Sequence, residues 1–282
     1  MYEVIFLVIL AFIWILVGTI QDLRMKEVSN WLNFSLIIFA LGFRFFYSLF
    51  GQNGFGFFYQ GLIGLGIFLV LGNLFYYSRL FAGGDAKMMI ALGAILPFSE
   101  NFYTNLNIFF WFFILFVFVG AIYGFVWSIF LTIKNFKLVR KEVKYSLIKK
   151  KKLFYSVLGI CILLILFGFF DLLFLVAGLF ILILSCFYLF ANSIEKCCML
   201  VKISSNDLRP GDWLAENIKI SKGKTILKNW EGLNEKEIKM IQKKYKFVKI
   251  KQGIAFMPVF LVSFIVLVYL WFFNLLWNFR VF

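Results

Sequence analysis

Asn107-Ile108-Phe109-Phe110-Trp111-Phe112-Phe113-Ile114-Leu115 opens an apolar run that continues without a charged residue to Thr132. A helix needs roughly 20 apolar residues to cross a bilayer, and this run exceeds that length. Working outward, seven further apolar runs fall at about 4–20, 31–50, 57–78, 86–97, 153–169, 172–191 and 254–279. The run 86–97 is short, and needs protein or a water-filled cavity around its inner end. The stretch 153–191 divides at Gly168-Phe169-Phe170-Asp171, because a single helix of that length would overrun the hydrocarbon core.

Composition agrees with this reading. The 282 residues are 63% hydrophobic, 22% aromatic and only 15% charged, whereas soluble domains are near half apolar. The fold class expected is an all-α polytopic membrane protein with about eight transmembrane helices, six or seven being the alternatives, and a small α+β cytoplasmic insert. Five segments follow: a membrane core at 1–132, a basic cytoplasmic loop at 133–152, a transmembrane hairpin at 153–192, a small cytoplasmic domain at 193–253 and a last transmembrane helix at 254–282. The start, Met1-Tyr2-Glu3, has no basic region of the kind a cleaved signal peptide carries, so the first run reads as a retained span.

The net charge of +15 would point to nucleic acid in a soluble chain. Here 27 of the 29 Lys and Arg fall in loops 21–30, 79–87, 133–152 and 193–253. The positive-inside rule places those loops in the cytoplasm, and no nucleic-acid partner is expected. The loops at Gly51-Gln52-Asn53-Gly54 and Pro97-Phe98-Ser99-Glu100 carry no basic residue and read as external. The exceptions are Arg280 and Arg44; Arg44 lies about two turns from an outer end and is expected to snorkel outward. The four cysteines form no C-x-x-C pair, so no zinc site or redox motif is expected.

Within 193–253, Asp207-Leu208-Arg209-Pro210-Gly211-Asp212 reads as a turn. Lys219–Ile220 and Thr225–Leu227 read as a hairpin about Ser221-Lys222-Gly223-Lys224. The spacing Asn234-Glu235-Lys236-Glu237 resembles a capping box opening a helix to about Tyr245, and Phe247–Lys251 alternates as a strand.

Ionisable groups at membrane depth are functional candidates. Asp22 follows the first run and Asp85 begins the fourth, so the topology places both on the cytoplasmic side. Read singly, Asp85 fits a helix N-cap and Asp22 a solvated charge beside a basic loop. As a pair at one depth they fit a different chemistry. Two neighbouring carboxylates do not both ionise cheaply, so one serves as acid and the other as base toward a bound water. This hydrolysis needs no cofactor, no metal and no His, and the chain has no His. Gly83 and Gly84 permit close backbone approach, either by a substrate strand or in a turn. Lys87 reads as an interface anchor or as a charge tuning Asp85.

Asp22-Leu23-Arg24-Met25-Lys26-Glu27-Val28-Ser29-Asn30-Trp31-Leu32 resembles the first aspartate motif of type IV prepilin and archaeal preflagellin peptidases. Phe81-Ala82-Gly83-Gly84-Asp85-Ala86-Lys87 resembles their second motif, the GxGD box with a following Lys. Ser29 stands where the first motif has Pro, and Ala82 where the box has its first Gly. Leu208–Glu216, Gly232–Ile238 and Gly253–Pro258 resemble the insert and last-span entry of archaeal members.

The resemblance implies a membrane-embedded aspartic endopeptidase with catalytic Asp22 and Asp85, supported by Gly83, Gly84 and Lys87. Its substrates would be prepilin- or preflagellin-like proteins, cut after a short basic leader at the cytoplasmic face of the cell membrane. Bacterial relatives that also methylate the new N-terminus often carry a C-x-x-C insert, which is missing here, so no methyltransferase activity is expected. The alternatives are a multi-pass transporter and a non-catalytic membrane assembly factor.

Overall fold

The computed structural model describes residues 2–51, 54–221, 224–229, 232–273 and 275. Met1, Gln52 and Asn53 of the expected outer loop, Lys222 and Gly223 of the expected hairpin turn, and the end of the last apolar run with Arg280 lie outside the described residues.

Each of the eight apolar runs holds one helix. These are α1 (Tyr2–Met25), α2 (Asn30–Phe50), α3 (Gly56–Tyr77), α4 (Gly83–Gly93), α5 (Phe102–Lys134), α7 (Lys151–Phe167), α8 (Leu172–Cys198) and α10 (Met257–Phe272). Of these, α1, α2, α3, α5 and α8 are long and apolar enough to cross a membrane. The shorter α4, α7 and α10 have 11, 17 and 16 residues. This is the architecture of a polytopic helical membrane protein. Between α5 and α7 the chain forms a further helix, α6 (Phe136–Lys149), where the sequence reading has a loop. Lys, Arg, Leu and Val with no Pro or Gly are helix-compatible, and Val139 and Ser146, two turns apart, are its buried positions.

The chain packs as two units, residues 1–123 with 254–282, and residues 124–253, so the division falls inside α5. In the first unit, α1 buries Val4, Leu7, Ala11, Ile15, Gly18 and Asp22, a stripe at helical spacing. The helices α3 and α4 meet through glycines. A Cβ on Gly64 would lie 2.3 Å from the Gly93 carbonyl oxygen, and one on Gly72 2.9 Å from that of Ala86. Small residues allow this backbone approach between helices. Most of α4 is therefore buried in protein, including Ala86, Met88, Met89, Ala91 and Leu92, which is the condition under which so short a helix is tolerated at membrane depth. Beyond it, residues 94–98 are also buried but not helical.

Arg44 is where the structure departs furthest from the sequence reading. It does not snorkel outward: it is 0% exposed and turned into the protein. Its guanidinium donates to the carbonyl oxygens of Ala94 (2.9 Å), Phe57 (2.9 Å), Ile95 (3.1 Å) and Pro97 (2.5 Å). These oxygens have no water to turn to, and a hydrogen-bonded guanidinium satisfies them.

In the second unit, α7 and α8 form an antiparallel pair and α6 packs on α8. Asp171 caps α8 by accepting from the Leu173 N–H at 3.0 Å. A three-stranded antiparallel sheet follows, with β5 (Phe247–Lys251) between β1 (Leu200–Ser204) and β2 (Trp213–Leu214). A separate hairpin pairs β3 (Ile218–Ser221) with β4 (Lys224–Ile226). Helix α9 (Glu235–Gln242) starts with a reciprocal capping box between Asn234 and Glu237. Ile238 and Ile241 of α9 pack with Leu214, Val248 and Ile250 of the sheet.

Two backbone hydrogen bonds tie the turn before β2 to the segment before α9: Gly211 N–H to Leu233 O and Leu233 N–H to Asp212 O, both 2.9 Å. Both Gly211 and Gly232 have positive φ, 94° and 81°. A Cβ on Gly232 would lie 2.3 Å from the Gly211 carbonyl oxygen, whereas one on Gly211 meets nothing. Both Gly→Ala changes thus strain the backbone, but only Gly232→Ala adds a clash. We expect Gly232→Ala to speed amide exchange at Val248 and Ile250 by at least tenfold, and Gly211→Ala by clearly less. Equal effects in hydrogen-exchange mass spectrometry on the full chain would contradict this reading.

Candidate active site

Asp22 lies in the last turn of α1, on the same face as Leu7, Ala11, Ile15 and Gly18. It is not the solvated loop charge of the sequence reading: it is 6% exposed. Its Oδ2 accepts from the Met257 N–H at 2.9 Å, and its carboxylate also accepts from the Phe256 backbone. Those two N–H groups open α10, whose second residue, Pro258, has no N–H to offer. The first N–H groups of a helix lack intrahelical acceptors, and here a carboxylate from the other end of the chain receives them. Lys26 is a nearby positive charge.

Asp85 is not the N-cap of α4; that position is Ala82. Asp85 stands in the first turn, half-buried, and accepts a backbone hydrogen bond from Ala82. This is the reach-back half of a capping box, which needs the acid three positions after the cap. The two carboxylates lie within reach of each other's charge. Packing one turn from Asp22 agrees: a Cβ on Gly18 would meet Met257 Cε at 2.6 Å, Leu32 Cδ2 at 3.1 Å and Met88 Cε at 3.5 Å. Helices α1, α2, α4 and α10 thus converge at this end of the unit.

Gly83 and Gly84 do not form the turn between α3 and α4. They are the first residues of α4 and neither has positive φ. Arg79 makes the turn, at φ 64°. Lys26, four residues after Asp22, has φ 58°. These are the two positive-φ non-glycine residues among those described, and they flank the two acids; such backbone tends to collect at functional sites. A Cβ on Gly84 would meet Val28 Cβ at 3.2 Å, so this glycine lets α4 approach the α1–α2 connection. A Cβ on Gly83 would meet only Tyr76, at 3.8 Å.

Lys87 donates from Nζ to Asn30 Oδ1 at 2.6 Å. It joins the start of α4 to the start of α2, a role that neither reading of it as a membrane anchor nor as a charge tuning Asp85 describes. Asn33 adds a second tie, from Nδ2 to the Gly84 carbonyl at 3.3 Å. Three contributions escape the sequence reading: Asn33, the bond from the α10 start to Asp22, whose segment Gly253–Pro258 entered only through the resemblance, and Tyr123 of α5, which lies within reach of the Asp22 charge. Asn33 had a legible signal, since it is a polar residue one helical turn before Leu36 on the buried face of α2. The α10 contact had none, because 235 positions separate its partners. Three acids at other run ends sit elsewhere: Glu3 is in the first turn of α1, Glu100 follows the buried exit from α4, and Asp171 caps α8.

Over 100 residues the chain is 29% identical to a preflagellin peptidase of Methanococcus maripaludis (strain C6 / ATCC BAA-1332), a stretch that is 35% of this chain and 43% of that protein. The chain therefore spans less than half the length of the curated relative it matches. No solved structure matches it. Residues 9–135, which contain both Asp22 and Asp85, match the model of the type IV leader peptidase family.

Proposed function

We propose that this chain is a membrane-embedded aspartic endopeptidase that removes the short basic leader of prepilin- or preflagellin-like proteins at the cytoplasmic face of the cell membrane. The observation that carries the reading is that Asp22 and Asp85, 63 positions apart in sequence, stand where α1, α2, α4 and α10 converge, with Gly84 packed on Val28 and Gly18 on Met257 and Met88. Asp85 there lies within reach of the Asp22 charge. The family match over both motifs supports the same reading.

The chemistry uses a water held between the carboxylates. One carboxylate takes a proton as the water oxygen bonds to the scissile carbonyl carbon, and the other carboxyl gives its proton to the carbonyl oxygen. The tetrahedral carbon then expels the amine, which leaves with a proton from the pair. The product acid and amine account for all atoms of the peptide and the water. Which residue is acid and which is base stays a property of the pair. Gly83 and Gly84 keep side chains away from the approach to Asp85. Lys87 holds α4 against Asn30 and so supports the same geometry.

Cleavage of a leader-bearing substrate by the purified protein tests the proposal, and also separates it from a transporter or an assembly factor. We expect Asp22→Asn and Asp85→Asn each to lower turnover about 10²–10⁴-fold, the usual scale for losing an acid or base, with gel-filtration behaviour unchanged. An amide cannot act as base, so full turnover in Asp22→Asn ends the dyad mechanism.

The Lys87–Asn30 contact gives a second test. Lys87→Met and Asn30→Ala should each slow cleavage, and the double variant should be no slower than the worse single one. Losses that multiply instead would show that the two residues act independently.

Placement of the membrane is tested by cysteine labelling in intact cells. Cys introduced at 137 or 144 of α6 should react only after permeabilisation, and Cys at Gly54 without it. The reverse pattern would put both acids on the wrong side for leader peptides.

A further inference from the structure

We propose that Arg44 is a positioning residue for Asp85, acting from the far end of α4. The inference rests on the reading of Asp85 as one of the two acids, and its test is arranged to stand apart from that reading.

The argument starts from α4 itself. Its 11 residues place Asp85 in the first turn and Ala94 just past the end, about 14 Å further along at 1.5 Å per residue. Ala91 and Leu92 of the last turn accept from the backbone N–H groups of residues 94–96, but the carbonyls of Ala94, Ile95 and Pro97 lie past the helical ladder. In a buried segment they must be met by protein groups, and the exit from α4 is buried through Phe98. Arg44 meets the Ala94, Ile95 and Pro97 carbonyls together, and joins them to Phe57 at the start of α3. Its guanidinium carbon also lies 4.2 Å from the centre of the Phe57 ring. A planar fork with five donors fixes direction as well as distance, which the single point charge of Lys does not.

The other end of α4 is held from the same helix. Asn30 and Asn33 of α2 bind Lys87 and the Gly84 carbonyl. From Asn33 to Arg44 is 11 positions, and α4 has 11 residues, so the two spans match at about 16 Å. Helix α2 runs beside α4 in the same direction and carries polar groups at both ends of it. Burying a charge costs several kcal/mol unless it is well bonded. Placing that charge on this exit therefore sets the height at which α4 stops, and a helix fixed in height presents Asp85 at a fixed depth.

Gly61 provides an independent handle. A Cβ there would lie 2.5 Å from Arg44 Cδ and 2.9 Å from Nε, so Gly61→Ala shifts the guanidinium without removing it. The experiment compares Arg44→Gln, Arg44→Lys and Gly61→Ala by two readouts. The first is leader cleavage, where we expect kcat to fall about 10²-fold, the scale of a 1 Å misplacement, with KM within about threefold. The second needs no activity. In a chain whose four native cysteines are replaced by Ala, Asp22→Cys and Asp85→Cys are bridged by a short bifunctional reagent, and the three variants should each slow that bridging severalfold. If the parent does not cleave leaders, the peptidase reading fails while bridging still decides the role of Arg44. Parental kcat and parental bridging in the variants would overturn the proposal. So would recovery of both by Arg44→Lys, since charge alone would then suffice. Loss of the folded chain in Gly61→Ala would overturn it too, because Arg44 would then hold the fold and not the site.

Discussion

Backbone groups that cannot reach water must be paired within the protein, and this constraint governs the first unit at α4. The helix stops after 11 residues and the chain continues buried and non-helical to Phe98. Free carbonyls in such a place cost free energy comparable to lost hydrogen bonds. Arg44 answers them, and the glycines at 64, 72 and 93 let α3 press close enough to enclose the helix. Without both devices the segment 83–98 would have to lengthen into an ordinary span, and Asp85 would no longer sit in a protein-lined first turn.

The same constraint explains Asp22. Helix α10 begins with donors that its own turn cannot use, and Pro258 removes one of them. The N–H groups of Phe256 and Met257 go to the Asp22 carboxylate. An acid that would be expensive in an apolar setting and N–H groups that would be equally expensive are set against each other. Around them, Phe81, Phe116, Phe256 and Phe260 stack edge to face and tilted, with ring centres 4.7–6.4 Å apart, in contacts that bind the α3–α4 turn, α5 and the start of α10. Aromatic packing of this kind adds to area burial and gives the polar end of the unit a dry floor.

Much of this was legible where the signal is local. Apolar length marked each helix-bearing run, and the spacing from Asn234 to Glu237 marked a cap, because both depend on neighbours a few residues away. The two aspartates stood out as charges beside apolar runs. Their burial was less visible, although the pattern was present: Asp22 continues the Ile15 and Gly18 stripe of α1, and Arg44 continues the Leu36 and Ala40 stripe of α2. Reading distance to the membrane end, in place of helical face, turned Arg44 outward and Asp22 into solvent. The α6 helix was hidden by its charge, and β1 and β2 by their pairing with β5, which lies 33 or more residues further on.

The family match ends at residue 135, yet Asp22 is bonded by residues 256 and 257. The site is thus built partly from chain outside the matched region. Between the two parts lies the second unit, residues 124–253, with its own helix pair and its own sheet core. An independently packed unit can occupy such an interval at little thermodynamic cost, since loop-closure entropy grows only slowly with length. What cannot vary is the return of the chain at Phe256 with free N–H groups leading a helix. That requirement falls on the backbone and on Pro258, not on any catalytic side chain, so it leaves a faint mark on sequence while fixing one of the two acids in place.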